Sequence, residues 1–356
     1  MNRRRELRER IARFIDAHGD GSRADPDRDA ILEDIAEWQR GSIPAYGRLW
    51  NHDTSPGQPP AMPTDVFRFL RVAQHGPEED LRRFETSGTT SGARGVHAFR
   101  DLDLYDRSAR AAARLALFPS DERKDLLLLV PPEQTLPNSS LSYMVARFVE
   151  WFGADCRWAM APDALDHRAA TDCLRRAERE ERPLAILGTS FAFVHLDEAM
   201  EGAVQLPPGS FIMQTGGFKG RSREISPTDM VALLGARFGL APEDIATEYG
   251  MTELSSQLYA SRWRGYPATL KTPAELWVPP WVRTTIVDPE TGRPCPDGTE
   301  GILRIDDMAN LDSVACIQTS DRAVRVEDRI RLLGRAEGAV PRGCSLAIDQ
   351  ALGGKA

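Results

Sequence analysis

The stretch Phe84-Glu85-Thr86-Ser87-Gly88-Thr89-Thr90-Ser91-Gly92-Ala93-Arg94-Gly95 sets three glycines and five hydroxyl residues into one short loop with a cation near its end. Glycine lets successive backbone N–H groups turn toward a common centre. Ser87, Thr89, Thr90 and Ser91 add hydroxyl donors, and Arg94 adds a fixed charge with forked donor geometry. A loop that wraps a polyphosphate needs these properties. A Ser/Gly-rich surface loop shares the composition. It has no reason to be short, to end in a cation, or to run into the strand-like Val96-His97-Ala98-Phe99. The loop is not of the Gly-Lys-Ser/Thr kind that opens a helix. It has no lysine, its flanks read as strands, and the next helix starts only after Asp101.

On both sides of this loop the chain reads as α/β. Leu7, Ile11, Phe14 and Ile15, then Ile31, Ile35 and Trp38, recur at helical spacing. The Pro-, Gly-, Asn- and Asp-rich stretch from Gly41 to Pro63 predicts a long connection. Asp101 is placed to cap a helix that runs to Leu117. Leu126 to Val130 is a continuous apolar run, the pattern of a strand buried on both faces. Helices over 140–152, 169–182 and 227–238 then alternate with strands over 155–158, 185–187, 211–214 and 245–248. Beyond residue 280, short β-rich segments alternate with turns such as Asp288-Pro289-Glu290-Thr291-Gly292. The expected architecture is a large α/β core over residues 1–280, with mostly parallel sheets flanked by helices, and a small β-rich subdomain over 281–356. No internal repeat or low-complexity tract interrupts it.

With 356 residues, 41% hydrophobic and 28% charged, the composition is that of a soluble globular protein. A net charge of −8 argues against nucleic acid as a partner. The five cysteines, Cys156, Cys173, Cys295, Cys316 and Cys344, are scattered, with no C-x-x-C pair to suggest zinc or a disulfide framework. No signal-peptide pattern opens the chain and no apolar run reaches spanning length. A cytoplasmic protein with reduced thiols and no membrane span is expected.

Downstream, Tyr249-Gly250-Met251-Thr252-Glu253 and Thr319-Ser320-Asp321 follow, then Leu333-Gly334-Arg335, and Gly216-Gly217 sits just after a strand. In this order, and with the loop at 86–95, the set resembles the adenylate-forming enzymes, the acyl-CoA synthetase and adenylation-domain superfamily. That family usually spells its loop S-G-T-T-G-x-P-K-G. Here Ser91 is an insertion and Arg94 stands for the usual lysine. The resemblance implies ATP and Mg²⁺ as cofactors. It places Thr86, Ser87, Gly88, Thr89, Thr90, Ser91, Gly92 and Gly95 around the β- and γ-phosphates, with Tyr249 and Gly250, Gly216 and Gly217 along the adenine. Thr252 contacts a phosphate, Glu253 the metal, Asp321 the ribose and Arg335 the ribose or α-phosphate. A carboxylate suits each assigned acidic role, since it accepts two hydroxyl donors at once and is a hard ligand for phosphate-bound Mg²⁺. A helix N-terminus capped by Thr252 or Glu253 is the plainer alternative for that motif, and Ser320 replaces the family's glycine. Lys219 is either a solvated surface lysine or an extra cation near the reacting carboxylate.

Ordinary members continue for roughly a hundred residues into a mobile lid that carries a catalytic lysine, within the usual domain size range. The short segment after Arg335 predicts a chain without it. One branch looks like this short form: the acyl-protein synthetases of bacterial luminescence fatty acid reductase complexes, which carry a cysteine near the end. The matching segment here is Glu337-Gly338-Ala339-Val340-Pro341-Arg342-Gly343-Cys344. By this resemblance Cys344 receives the acyl group and hands it to a protein partner such as an acyl reductase, or to a carrier protein. Arg342 would favour the thiolate electrostatically. Otherwise Cys344 is an inert cysteine in a C-terminal turn. Arg94 and Lys219 are the catalytic cations left to meet charge on the transferring phosphate. Ser140, Tyr143, His195 and Phe218 are position-based candidates for the acyl pocket. Transfer to CoA or to a carrier-protein pantetheine, with an aryl or amino acid as substrate, stays open, as does a nucleotide-binding scaffold that activates nothing.

Overall fold

The computed structural model describes residues 3–52, 58–86, 93–162, 164–216, 225–260 and 275–336. They fall into two units. The first gathers the chain up to Ala111, the segment Met251–Gln257 and the described residues from Trp277 onward; the second takes Ala112–Gly250 and the described part of Leu258–Leu276. The division falls elsewhere than the change of texture near residue 280. The β-rich C-terminal segment shares a unit with the N-terminal helices.

In the first unit, Leu7, Ile11, Phe14 and Ile15 are buried along one face of α1 (Arg3–Ala17), as their spacing requires. Helix α2 (Asp25–Ser42) buries Ile31, Leu32, Ile35, Ala36 and Gln39. Part of the stretch expected as a connection is instead helix α3 (Pro44–His52). Pro44 occupies its first position, where a fixed φ is already helical and no N–H is needed, and Ala45, Tyr46 and Leu49 supply a buried face. After the short strand β1 (Met62–Pro63), β2 (Arg82–Glu85) and β3 (Val96–Phe99) pair antiparallel, with Glu85 opposite Val96. The glycine-rich loop is therefore the connection of a hairpin. Helix α4 (Asp103–Ala116) starts where the Asp101 carboxylate accepts the Asp103 N–H at 3.3 Å, and it carries the chain into the second unit.

The second unit alternates strand and helix: β4 (Lys124–Leu129), α5 (Ser140–Phe152), β5 (Gly153–Trp158), α6 (His167–Arg179), β6 (Leu184–Thr189), α7 (Ser190–Ala199), β7 (Phe211–Thr215), α8 (Pro227–Phe238) and β8 (Ile245–Tyr249). Strands β9 (Leu258–Ala260) and β10 (Glu275–Leu276) follow. The sheet runs β5-β4-β6-β7-β8-β9, parallel through β8, with β9 antiparallel. Ser139, Asp166, Thr189 and Ser226 each accept the N–H three residues ahead, so four helices start on a side-chain cap. Leu127, Leu129, Ile186 and Ile212 share one core with Leu174, Phe193, Leu234 and Phe238. Phe118 packs its ring on Phe148, Phe152 and Phe211 in a second cluster. Leu126 to Leu129 are all buried, as a strand covered on both faces must be. Gly188 is fixed by packing, because a Cβ there would come within 2.8 Å of the Leu129 Cβ.

The chain returns to the first unit with an antiparallel meander of β11 (Val282–Val287), β12 (Glu300–Asp307), β13 (Cys316–Val326) and β14 (Arg329–Arg335). Strand β1 lies parallel against β13. Among the described residues no helix is long and apolar enough to cross a membrane.

Candidate active site

The hairpin closes the neck of the glycine-rich loop from both sides. The Thr86 N–H donates to the Gly95 carbonyl and the Gly95 N–H donates to Thr86 Oγ1, each at 2.9 Å. Arg94 is exposed and pairs with Glu85 at 3.3 Å. Arg68, which the sequence reading passed over, donates to the Ala93 carbonyl at 3.0 Å. Ser87 to Gly92 lie outside the described residues, as do Gly217, Phe218, Lys219 and Cys344.

The Glu253 carboxylate stands at the foot of this loop. A methyl placed on Gly95 would lie 3.5 Å from Glu253 Oε1 and 3.1 Å from Thr86 Cγ2. Glu253 is 7% exposed, and a carboxylate is the kind of oxygen ligand that hard cations take. The preceding residue is fixed by His97 on β3, whose Nδ1 lies 2.8 Å from the Thr252 carbonyl. A carbonyl only accepts, so Nδ1 carries the hydrogen. The ring is buried against Phe67 and Phe99, and burial lowers its pKa to about 4. His97 is thus a neutral, packed donor. The structure brings Thr86, Gly95, Thr252 and Glu253 together. Asp321 and Arg335 form a second pair, directly opposite in the β13–β14 register, with Arg335 Nε 3.2 Å from Asp321 Oδ1.

In the second unit, Gly216 and Tyr249 follow or end β7 and β8, at the C-terminal edge where parallel sheets take their ligands. That edge also carries groups the sequence reading missed. The Thr215 hydroxyl donates to Glu248 Oε2, and Thr215 faces Glu248 in the register. Burial pushes the Glu248 carboxyl up to about 7, which the Thr215 hydrogen bond partly opposes. Ser190 Oγ donates to the Gly216 carbonyl at 2.8 Å, and Gln214 Nε2 to Thr247 Oγ1 at 2.7 Å. The available signal was a pair of polar residues at or just before the end of two strands, Gln214-Thr215 and Thr247-Glu248. Of the acyl-pocket candidates, Ser140 and Tyr143 lie on α5, with the Arg147 guanidinium 5.3 Å above the Tyr143 ring. His195 lies on α7, partly exposed, 3.7 Å from Glu198.

Residues 55–353 match the family described as acyl-protein synthetase, LuxE. The chain belongs to this family. It is accordingly a ligase, as the ordered motifs lead one to expect. Two curated relatives are each named long-chain-fatty-acid–luciferin-component ligase. The one from Vibrio harveyi is 23% identical over 311 residues, covering 83% of this chain and 79% of the relative. The one from Aliivibrio fischeri is 24% identical over 307 residues, covering 81% and 77%. Among solved structures, ATP-bound MatB from Rhodopseudomonas palustris is similar with a TM-score of 0.53 and 16% identity, over 74% of this chain. The chain spans about half of MatB, 49% of its length. A 2-hydroxyisobutyryl-CoA ligase in complex with 2-HIB-AMP is similar with a TM-score of 0.63 and 16% identity, over 88% of this chain and 68% of that one. At these identities the likeness shows a shared fold, that of adenylate-forming enzymes.

Proposed function

We propose that this chain activates a long-chain fatty acid with ATP and passes the acyl group through its own Cys344 to a protein partner. One observation carries the reading: the buried Glu253 carboxylate at the foot of the hairpin loop, beside Thr86 and Gly95. Backbone N–H groups and the hydroxyls of Ser87, Thr89, Thr90 and Ser91 hold the β- and γ-phosphates. Asp321 accepts the ribose hydroxyls, Arg335 faces the α-phosphate region, and Tyr249, Gly216 and Gly217 take the adenine. Mg²⁺ fits the donor set, because it is commonly bound by one or two carboxylates plus substrate phosphate oxygens. Glu253 would hold it, and when bound the ion would offset phosphate charge.

In the first step a carboxylate oxygen of the acid attacks the α-phosphorus. The bond from that phosphorus to the bridging oxygen breaks, and pyrophosphate leaves with the electron pair. Arg94 is available to meet the charge, since its exposed pairing with Glu85 holds it by only about 0–1 kcal/mol. Lys219 is the second candidate. In the next step the Cys344 thiolate attacks the acyl carbonyl, the bond to the AMP oxygen breaks, and the thiol proton goes to solvent. The four described thiols, Cys156, Cys173, Cys295 and Cys316, all have pKa values raised by burial, Cys316 to about 12. None of those four is prepared as a thiolate, which favours Cys344, two residues after Arg342 in the sequence. We assign the acid side to Ser140, Tyr143, His195 and Phe218, and the protein to the cytoplasm.

Intact-mass spectrometry after incubation with Mg·ATP and a panel of fatty acids tests this. The expected result is a gain of one acyl group that is lost in Cys344→Ser. AMP formed with no mass gain would move the acceptor to CoA or a carrier thiol. Neither AMP nor a mass gain would overturn the activation itself.

A further inference from the structure

The segment after Gly250 is held at several backbone groups, and most of the partners come from one turn, Asp307-Met308-Ala309-Asn310. Asn310 Nδ2 donates to the Glu253 carbonyl at 2.8 Å. The Ser255 and Ser256 N–H groups both donate to Asp307 Oδ2 at 2.9 Å. The Ser256 hydroxyl donates to Asp307 Oδ1 at 2.7 Å, and the Ala309 N–H adds a fourth donor there at 2.9 Å. The Asn310 amide is itself oriented at both ends. Its Oδ1 accepts from Ser255 Oγ at 2.6 Å, and its Nδ2 also reaches the Val314 carbonyl at 3.1 Å. Asp307, Asn310, Ser255 and Ser256 are each at most 1% exposed.

This network is anchored in turn. Gln39 of α2 donates through Nε2 to the carbonyls of Asn310 at 2.8 Å and Leu311 at 3.0 Å, and its Oε1 accepts the Ala315 N–H at 2.9 Å. On the other flank, Ser108 Oγ donates to Ser256 Oγ at 2.8 Å and accepts from Trp281 Nε1 at 2.9 Å. Burying a carboxylate and two amides is costly unless every group is paired. An apolar plug would fill the same space more cheaply, but it would not fix the position of the Glu253 backbone. Carbonyl and N–H directions are set here on both sides of Glu253, from Thr252 through Ser256.

We propose that Asp307 and Asn310 are positioning residues that fix the backbone around Glu253, so that its carboxylate stands ready at the foot of the loop and nucleotide binds more tightly with its cation than without. The inference rests on the reading of Glu253 as the cation's ligand. It acts through geometry, since the two side chains point their polar atoms into the segment they hold, their own turn and the nearby Val314 carbonyl.

The test is titration calorimetry on the full chain, with ATP plus Mg²⁺ and with ATP plus a chelator, in the wild type, Glu253→Gln, Asn310→Ala and Ser255→Ala. Ser255→Ala is the mild variant, because it frees one end of the Asn310 amide and leaves the rest of the network in place. The wild type is expected to bind the magnesium complex more tightly. That ratio should fall about tenfold in Asn310→Ala and by less in Ser255→Ala, while metal-free ATP affinity stays within about twofold. A network that only holds the fold together would lower the melting temperature and leave the ratio alone; that result overturns the inference and spares the reading of Glu253. A ratio that Glu253→Gln fails to reduce, or that is absent in the wild type, removes both.

Discussion

Glu248 lies in the parallel sheet at 5% exposure, with the Thr215 hydroxyl as its donor. Its carboxyl is pushed from 4.5 up to about 7, first by burial and against the pull of that hydrogen bond. The folded chain therefore keeps a proton that the unfolded chain releases between those two values. The stability this contributes is complete below the unfolded pKa of 4.5 and is lost as pH rises through about 7. At about 1.4 kcal/mol per pH unit, the loss reaches about 3 kcal/mol once the carboxyl is ionised. Glu248→Gln keeps the shape and still accepts from Thr215, but it cannot ionise. Urea unfolding should therefore find the two proteins near parity around pH 5 and the variant more stable by about 3 kcal/mol near pH 8.5. A difference of the same size and sign at both pH values would show that Glu248 does not titrate in this window, and the burial reasoning would be wrong.

His97 gives the opposite slope. Burial lowers its pKa from 6.5 to about 4, so its share of stability is present above 6.5 and lost as pH falls through 4, and a His97→Gln variant should be flatter in that range when followed by urea unfolding. Gly95→Ala puts a methyl 3.1 Å from Thr86 Cγ2 and 3.5 Å from Glu253 Oε1. It should cost about 1–3 kcal/mol in urea unfolding and weaken ATP binding about tenfold by calorimetry. Arg335→Ala removes an exposed ion pair with Asp321, so stability should change by less than about 1 kcal/mol, while AMP formation falls by more than about tenfold in a coupled assay.

The alternation of strand and helix over 124–249 was legible, α7 excepted, because the strands are short apolar runs and the helices start on local caps. Ser139 before α5 and Ser226-Pro227 before α8 are local signals, and local signals survive in a sequence. Helix α3 was not legible, because Gly41 and the Asn51-His52-Asp53 run frame it with turn residues. Its burial of Tyr46 and Leu49 depends on a neighbour the sequence does not name. The motif residues Thr86, Gly95 and Glu253 were legible as a pattern, and the structure adds that they meet. Asp307 and Asn310 were not, because they act on Ser255, Ser256 and Glu253 from another strand end, and no spacing rule links the two stretches. Glu248 was hidden for the reverse reason: it looks like one polar residue of a short strand, and only the register opposite Thr215 shows that it is buried in the sheet.

Two departures from the family's spelling can now be weighed physically. Ser320 stands where a glycine is usual, yet among the described residues only Glu181 and Glu327 are non-glycines with positive φ, so the β13 backbone at 320 asks for no glycine. The β12–β13 register shifts at this point, with Ile302 opposite Arg322 and Arg304 opposite Gln318, so residues 319–321 sit in an irregularity of the strand. Thr319 is 1% exposed, and its hydroxyl receives the Asp321 N–H at 3.1 Å while donating to the Leu303 carbonyl at 2.7 Å. The residue that orients the Asp321 backbone is thus Thr319. Arg94 for lysine is a different kind of change. A guanidinium engages oxygens in pairs through a flat fork, whereas an ammonium is a compact point charge. In the loop neck that fork already engages Glu85 on the strand before it. Glu85→Gln would release Arg94 without removing it. If Arg94 serves the phosphates, the release should strengthen nucleotide binding in calorimetry; weaker binding would mean that the pair itself shapes the loop.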